Sequence, residues 1–471
     1  MVITKTSAHT QLGMHLVNIC FFALNIFHII FASTSDITPK DTGFLRFKIS
    51  VFSQFNVNIL IIALVLFLIQ MIFSYLILAR KFRKANLVRI NELGVAGENN
   101  VEIRKNLRID PKLIYKWVQE EAVEYKIRSV KRVYLTDTNI PNAITIDVIP
   151  LPFVRSSWLV LDANLIEILD EREIRAVIAH ELGHVKYLDG LVNLFRFGMN
   201  FFVFIAYSVR IFDVIKYLII EEPSLENILL RILFLLVFIA VLWGFTIVNN
   251  ILMNYSRRQA ELMADYFSAK KIGRNHIINA LILLGQRLDV VAAFGTEFKW
   301  LGYRESKSDV TREFLQGIKE LPAEELSKDI SRRKAVYIYV YQRLKNMKND
   351  LFIPLTDEQI NEMAEQACNK LLKLREEEIN KGPVKDRRTN TELNKLTIDW
   401  FSIDEDQNRY LNEEEIIRLI KMLENNPQKE LFENDIGNRR MRLGRDHPSM
   451  RERIIFLYNS ISKNNSNEPK S

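Results

Sequence analysis

A chain of 471 residues is long enough for one large domain with additions, and a 48% hydrophobic composition with mean hydropathy near zero fits a protein partly in lipid and partly in water, not a many-span transporter. Its two cysteines, Cys20 in an apolar run and Cys368 in a charged one, exclude a disulfide framework and a thiolate metal site, so any metal must sit on histidine and carboxylate. The formal charge of +7 is neither gathered in one long tract nor interleaved with aromatics on a recognisable motif, which removes nucleic acid as an expected partner.

In chain order, four runs reach the roughly 20 apolar residues that a bilayer core requires. The first, residues 12–32, contains His15, Asn18, Asn25 and His28. Its length, and the lack of a small-residue cleavage site before Asp36, separate it from a cleaved signal peptide. The second, residues 57–79, ends in Arg80, Lys81, Arg83 and Lys84, a basic cluster that marks a cytoplasmic end. With both crossing, residues 33–56 are expected outside and the sequence after Arg80 in the cytoplasm.

Between 169 and 188 the apolar residues Ile174, Val177, Ile178, Leu182 and Val185 recur at helical spacing behind acidic Asp170, Glu171 and Glu173. This predicts a buried helix with one polar face. On that face stand His180 and His184, one turn apart and able to share an ion, with Glu181 beside them to take a proton from metal-bound water. The rival reading, a chance spacing on a solvated face, fits poorly with apolar neighbours, among which unpaired imidazoles would need partners.

Runs 191–209 and 228–248 follow, each with a costly charge, Arg196 and Arg231, that must snorkel, pair or face a protein-lined cavity. Lying partly outside the bilayer as an amphipathic arm is the alternative for 191–209. The connection with Glu221, Glu222 and Glu226 fits an external turn, and Arg257 and Arg258 fit a cytoplasmic exit. A second helix then brings Glu261 and Asp265, with Ala260, Met263, Ala264 and Phe267 available for packing. A catalytic zinc takes three protein ligands and keeps one position open. Glu261 is the candidate third ligand, and Asp265 can accept the outer N–H of a ligand histidine. In isolation the two carboxylates read more simply as surface charges on an amphipathic helix.

Residues 271–445 read as Lys- and Glu-rich helices broken by a polar linker at Lys381-Gly382-Pro383. Within them Asp404, Asp406, Asn408, Tyr410, Asn412 and Glu415 take positions 1, 3, 5, 7, 9 and 12 of an EF-hand-like loop 404–415, with helix expected over 396–401 and 416–423. Arg409 stands where the sharp turn asks for glycine and no second loop pairs with this one, so an ion-free acidic helix-loop-helix is favoured over calcium binding. The tail, 460–471, is expected to be disordered.

Taken together these residues resemble the HtpX-like membrane zinc metallopeptidases, gluzincins related to the CAAX prenyl proteases. Pro141-Asn142-Ala143 is similar to the family's P-N-A element on the edge strand bordering the substrate cleft, and His180 to His184 to its zinc motif. Arg258 to Asp265 is similar to its third-ligand helix, and Asp446-His447-Pro448-Ser449 with residues 451–454 to its late H-P motif. The resemblance covers roughly residues 10–270 and 440–459. It departs after the P-N-A element, where Ile144-Thr145-Ile146-Asp147 replaces the usual aromatic and glycine. It implies one zinc per subunit on His180, His184 and Glu261, Glu181 as general base, and His447 as a stabiliser of the oxyanion. It also implies that Asn142 holds an extended substrate backbone and that Arg453 orients the carboxylate shell.

The implied fold is mainly α with a small β-sheet: transmembrane helices plus a cytoplasmic zincin-type metalloprotease domain. The expected organisation is an N-terminal membrane hairpin (1–84), a peptidase core (85–270) interrupted by a membrane hairpin (191–249), a helical insertion (271–445), the late H-P motif (446–459) and the tail. The expected function is a multi-pass endopeptidase of the cell membrane, with lipid bilayer and protein or peptide substrate as partners, cutting membrane or misfolded proteins at the cytoplasmic face. A prenyl-protein protease is the runner-up, disfavoured because that family has more spans enclosing a chamber. A silent membrane scaffold with a calcium-sensing loop comes third, disfavoured because every expected catalytic residue is present.

Overall fold

The apolar runs fold as long helices. The computed structural model describes residues 7–34, 36–39, 47–50, 57–84, 87–90, 107–127, 130–149, 155–220, 225–301, 307–351, 355–381, 397–400, 402–433, 435 and 447–465. Helices α1 (Ser7–Thr34) and α2 (Val57–Lys84) contain the first two runs, and α6 (Asp189–Ile220) and α7 (Leu225–Lys271) the next two. At 32 residues α6 is about 48 Å long, more than the roughly 30 Å of a hydrocarbon core. The run 191–209 therefore lies within one unbroken helix that is long enough to cross a bilayer. No glycine or proline separates Val248 from Arg257, and the fourth run and the helix bearing Glu261, expected as separate elements, are one 47-residue helix.

α1, α6 and α7 pack together through Ile29, Ala32, Val203, Tyr207, Phe238 and Phe245. Their other faces are apolar and exposed, as at Leu16 and Ile19 of α1 and Leu233, Leu236 and Trp243 of α7. α2 lies against α6 and exposes Ile61, Ile72 and Phe73 in the same way. Such surfaces match lipid tails. Inside the bundle Arg196 is 4% exposed and donates to Asn18 of α1, Ser256 of α7 and Asn193 one turn away, so it pairs with neutral oxygens instead of snorkelling. The side chain of Arg231, the Glu221-Glu222 turn, Gly382-Pro383 of the linker and Asp446 lie outside the described residues. One more helix, α8 (Arg274–Leu301), is apolar enough to cross, but it is 78% buried against 17–28% for α1, α6 and α7 and contains buried Arg287 and Asp289. It is a core helix of the remaining protein.

That remainder is built on a four-stranded sheet in the order β3 (Val88–Arg89), β4 (Val130–Thr136), β6 (Ser156–Asp162), β5 (Ala143–Ile149), beside a separate hairpin of β1 (Asp36–Pro39) and β2 (Phe47–Ser50). β4 and β6 run parallel, and β5 pairs antiparallel with β6 and forms an edge. Alternate residues of β6, Ser157, Leu159 and Leu161, are buried, as a strand covered on one face requires. The core beneath joins the sheet to α3 (Pro111–Glu124), α4 (Ala163–Ile168), α5 (Glu171–Lys186), α8, α12 (Glu413–Asn425) and α13 (Met450–Asn465).

The residue 270/271 boundary is thus no edge of packing. Ile277 to Leu283 of α8 and Ile416 to Leu423 of α12 belong to the same core as α5. Only α9 (Lys307–Glu320), α10 (Lys328–Leu351) and α11 (Asp357–Lys381) stand apart, the first two closing a second cluster on Phe294 and Phe298. The helix expected over 396–401 does not form at Thr397–Trp400, the described residues of that stretch. Thr397 bridges Glu430 and Ile398 N–H donates to the Glu430 carbonyl at 2.9 Å, burying Ile398 and Trp400 against the core. The last helix continues to Asn465, past the expected start of disorder at 460, because Ser460 is buried and Ile461 packs on the core; residues 466–471 lie outside the described ones.

Candidate metal centre

The helix carrying the histidines is strongly specified. Asp170 caps α5 by accepting from Glu173 N–H at 2.7 Å while the Glu173 carboxylate accepts from Asp170 N–H at 2.9 Å. Ile174, Ala176, Val177, Ile178, Ala179, Leu182 and Val185 are all buried, which leaves the polar groups of 180–184 a single outlet. A Cβ on Gly183 would sit 3.2 Å from Ala264 Cα and 3.4 Å from Phe267 Cδ1. The glycine of the motif therefore lets α7 approach α5 closely, and that approach brings in Glu261.

The structure brings together all three expected ligands. His180 Nε2 and His184 Nε2 are 3.2 Å apart, and Glu261 reaches each with a different oxygen, Oε2 to His180 and Oε1 to His184, both at 3.6 Å. A tetrahedral ion with ligands at about 2.0–2.1 Å places those ligands about 3.3 Å from one another. Two imidazole nitrogens turned toward one another and one carboxylate are the donor set and spacing that a shared cation fits.

Each histidine is held from behind. His180 Nδ1 is 2.9 Å from Asp265 Oδ1, and the fully buried Asp265 accepts from Arg453 Nε and Nη2 at 2.7 and 2.6 Å. His184 Nδ1 is 2.8 Å from Asp189 Oδ2. Asp189 was not legible in the sequence. It follows Leu188, whose φ of 62° turns the chain from α5 into α6, and no periodic pattern links it to the histidines. Burial opposes a charge on His180, yet the Asp265 and Glu261 carboxylates prevail and push its pKa up to about 10. His184 is raised too, burial again opposing and Asp189 and Glu261 prevailing.

Glu181, 7% exposed, opens on the same cleft, a cavity of about 490 Å³ that also meets Asn142, Asp189 and His447. His447 stands exposed at its mouth with Nδ1 3.2 Å from Glu261 Oε1. Asn142 is exposed just before the edge strand β5, its carbonyl accepting from Asp162 N–H at 2.9 Å. Ile277, Leu281, Leu284 and Leu288 of α8 form an apolar wall. Thr145 of β5, a second residue without a sequence signal, donates from Oγ1 to Glu181 Oε2 at 2.9 Å. A larger cavity of about 710 Å³ by Lys328 and Glu433, which pair at 2.6 Å, gathers no comparable ligand set among the described residues.

In the 404–415 loop, Asp404, Asp406 and Glu415 do lie together. Asp404 accepts from the N–H groups of Asn408 and Arg409, and Glu415 from those of Glu405 and Asn412, so these two buried carboxylates are satisfied by backbone. Arg409 takes the left-handed φ of 67° that glycine normally supplies, at about 1 kcal/mol.

Helix-borne imidazoles, a carboxylate from a second helix, an adjacent glutamate and an edge strand along the cleft define a metallopeptidase-type centre of the gluzincin pattern. The sequence model of peptidase family M48 matches residues 118–460, and the chain belongs to that family. The match runs through the whole of 271–445, in accord with the shared core. Among relatives, "Protease HtpX homolog 1" of Sulfolobus acidocaldarius is 27% identical over 183 residues, 37% of this chain and 53% of the relative. Its namesake in Sulfurisphaera tokodaii is 28% identical over 181 residues, 36% and 52% of the two chains. "Protease HtpX homolog" of Burkholderia mallei is 37% identical over 79 residues, 17% and 26%. The chain spans about half the length of the first two.

Proposed function

We propose that the protein is a membrane-anchored, zinc-dependent endopeptidase acting on membrane or misfolded proteins at the cytoplasmic face. The observation that carries this reading is the convergence of His180, His184 and Glu261 at 3.2–3.6 Å, each histidine backed by a carboxylate. These three residues would hold one zinc, which when bound acts as a Lewis acid on the scissile carbonyl and lowers the pKa of water. Glu181 takes the proton of the attacking water and passes it to the leaving amine. His447, at the mouth of the cleft, donates toward the developing oxyanion. The open edge of β5, entered at Asn142, pairs with an extended substrate backbone.

The cleft lies where α5 turns into α6, and α6 and α7 carry lipid-facing surface, which supports substrates held at or near the bilayer. The basic residues after α2's apolar run and after that of α7 support the cytoplasmic side. The test is cleavage of labelled casein by the full chain in detergent, with zinc, beside the Glu181→Gln variant. The variant should bind zinc and lose about 10² or more in rate. Undiminished cleavage by Glu181→Gln would overturn the assignment.

A further inference from the structure

Where the resembled family has an aromatic and a glycine, this chain has Ile144-Thr145-Ile146-Asp147, and the departure sets a hydroxyl against the glutamate of the histidine helix. Thr145 pairs with Leu159 of β6, and strand alternation turns its side chain toward α5 while Ile144 is 46% exposed. Its Oγ1 is 2.9 Å from Glu181 Oε2 and 3.3 Å from the Glu181 carbonyl; with one proton to give, it donates to the nearer carboxylate oxygen. Among the described residues no other side chain hydrogen-bonds that carboxylate.

The strand cannot drift from the helix. Two residues on, Asp147 holds Arg155 at 2.6 and 3.2 Å, and Arg155 Nη1 also donates to the Val185 carbonyl at the end of α5 at 2.5 Å. The Thr145 to Glu181 distance is therefore set by two bolted backbones and by a β-branched side chain with little freedom at χ1.

We propose that Thr145 is a positioning residue: its hydroxyl engages Oε2 of Glu181, selects one carboxylate orientation, and leaves Oε1 to accept the proton. This rests on the peptidase reading above. Thr145→Val keeps shape and strand preference but removes the donor, and Thr145→Ser returns it. Both would be made in the full chain in detergent, with kcat and KM measured on β-casein and zinc content measured on the same samples. Thr145→Val should lose about tenfold in kcat, a part of the roughly 10²–10⁴ that a positioned base contributes. Its KM and zinc content should stay at the wild-type values, and Thr145→Ser should recover most of the loss. An unchanged kcat in Thr145→Val overturns the proposal. So does a loss accompanied by altered KM or zinc content that serine does not repair, because that pattern belongs to strand packing. Glu181→Gln, assayed in parallel, separates the two levels. Its retained activity would sink the peptidase reading, whereas an inactive Glu181→Gln beside a fully active Thr145→Val would sink only the role of Thr145.

Discussion

Asp265 and Asp189 serve the two histidines in the same way but in different surroundings, so replacing each by asparagine should separate metal affinity from stability. Asp265 is fully buried and meets Arg453 twice, at 2.6 and 2.7 Å, as well as His180 at 2.9 Å. Asparagine preserves the shape but removes the charge and one acceptor, leaving the buried guanidinium and the imidazole N–H to compete for a single oxygen. An uncompensated partner of a buried ion pair costs about 3–5 kcal/mol. Loss of the group behind a ligand histidine lowers metal affinity about 10–100-fold, or about 1.4–2.8 kcal/mol.

Asp189 has a 15% exposed side chain and meets His184 at 2.8 Å with no arginine paired to it among the described contacts. Asp189→Asn should therefore weaken metal binding over the same range while destabilising the metal-free protein less than Asp265→Asn does, because no buried guanidinium loses its partner there. Zinc affinity would be measured by competition with a chromophoric chelator, and stability by unfolding of the metal-free proteins in detergent. Two results would refute the reasoning: equal destabilisation by both variants, or a zinc affinity that Asp265→Asn leaves untouched.

Metal binding should also depend on pH. In the metal-free protein His180 is pushed up to about 10 and His184 is raised, both above the unfolded value of about 6.5. Their contribution to metal-free stability is thus fully present below about pH 6.5 and is lost as pH rises through the folded values. An arriving cation must displace those protons, so zinc occupancy at a fixed, sub-saturating free concentration should climb as pH rises from about 6.5 towards the folded His180 value of about 10; equal occupancy across that interval would contradict it. Gly190→Ala tests the elbow between α5 and α6. A Cβ there would fall 2.0 Å from Asp147 Oδ2 and 2.6 Å from its Cγ, and Asp147 cannot swing away without stranding Arg155, at about 3–5 kcal/mol. The start of α6, and Asp189 with it, should shift and zinc affinity should fall. Gly244→Ala, where nothing lies within 4 Å, is the control that should bind zinc as the wild type does.

Much of the fold and the centre was legible because it is local. The capping residues Asp170 and Glu173, the one-turn spacing of His180 and His184, and the apolar runs of α1, α2, α6 and α7 all depend on residues within a turn or a span of each other. What escaped was set at a distance. α8 reads as one more helix of the Lys- and Glu-rich 271–445 region until α5, α10 and α13 are seen to cover it. Thr397–Trp400 carries no strong local signal, and the distant Glu430 decides its conformation. Asp189 and Thr145 are single polar residues outside any period, and only the approach of another element gives them a role.

The sequence by itself determined that two imidazoles share one helical face, that a glutamate stands beside them, and that hydrophobic helices flank them, since each follows from the 3.6-residue turn and the thickness of a bilayer. Tertiary structure alone decided that Glu261 would reach that face, that Asp265 and Asp189 would stand behind separate histidines, and that β5 would lie along the cleft as the last strand of the described sheet. These depend on the close passage of α7 over Gly183 and on the Arg155 clamp, contacts between segments far apart in the chain, which no local pattern encodes.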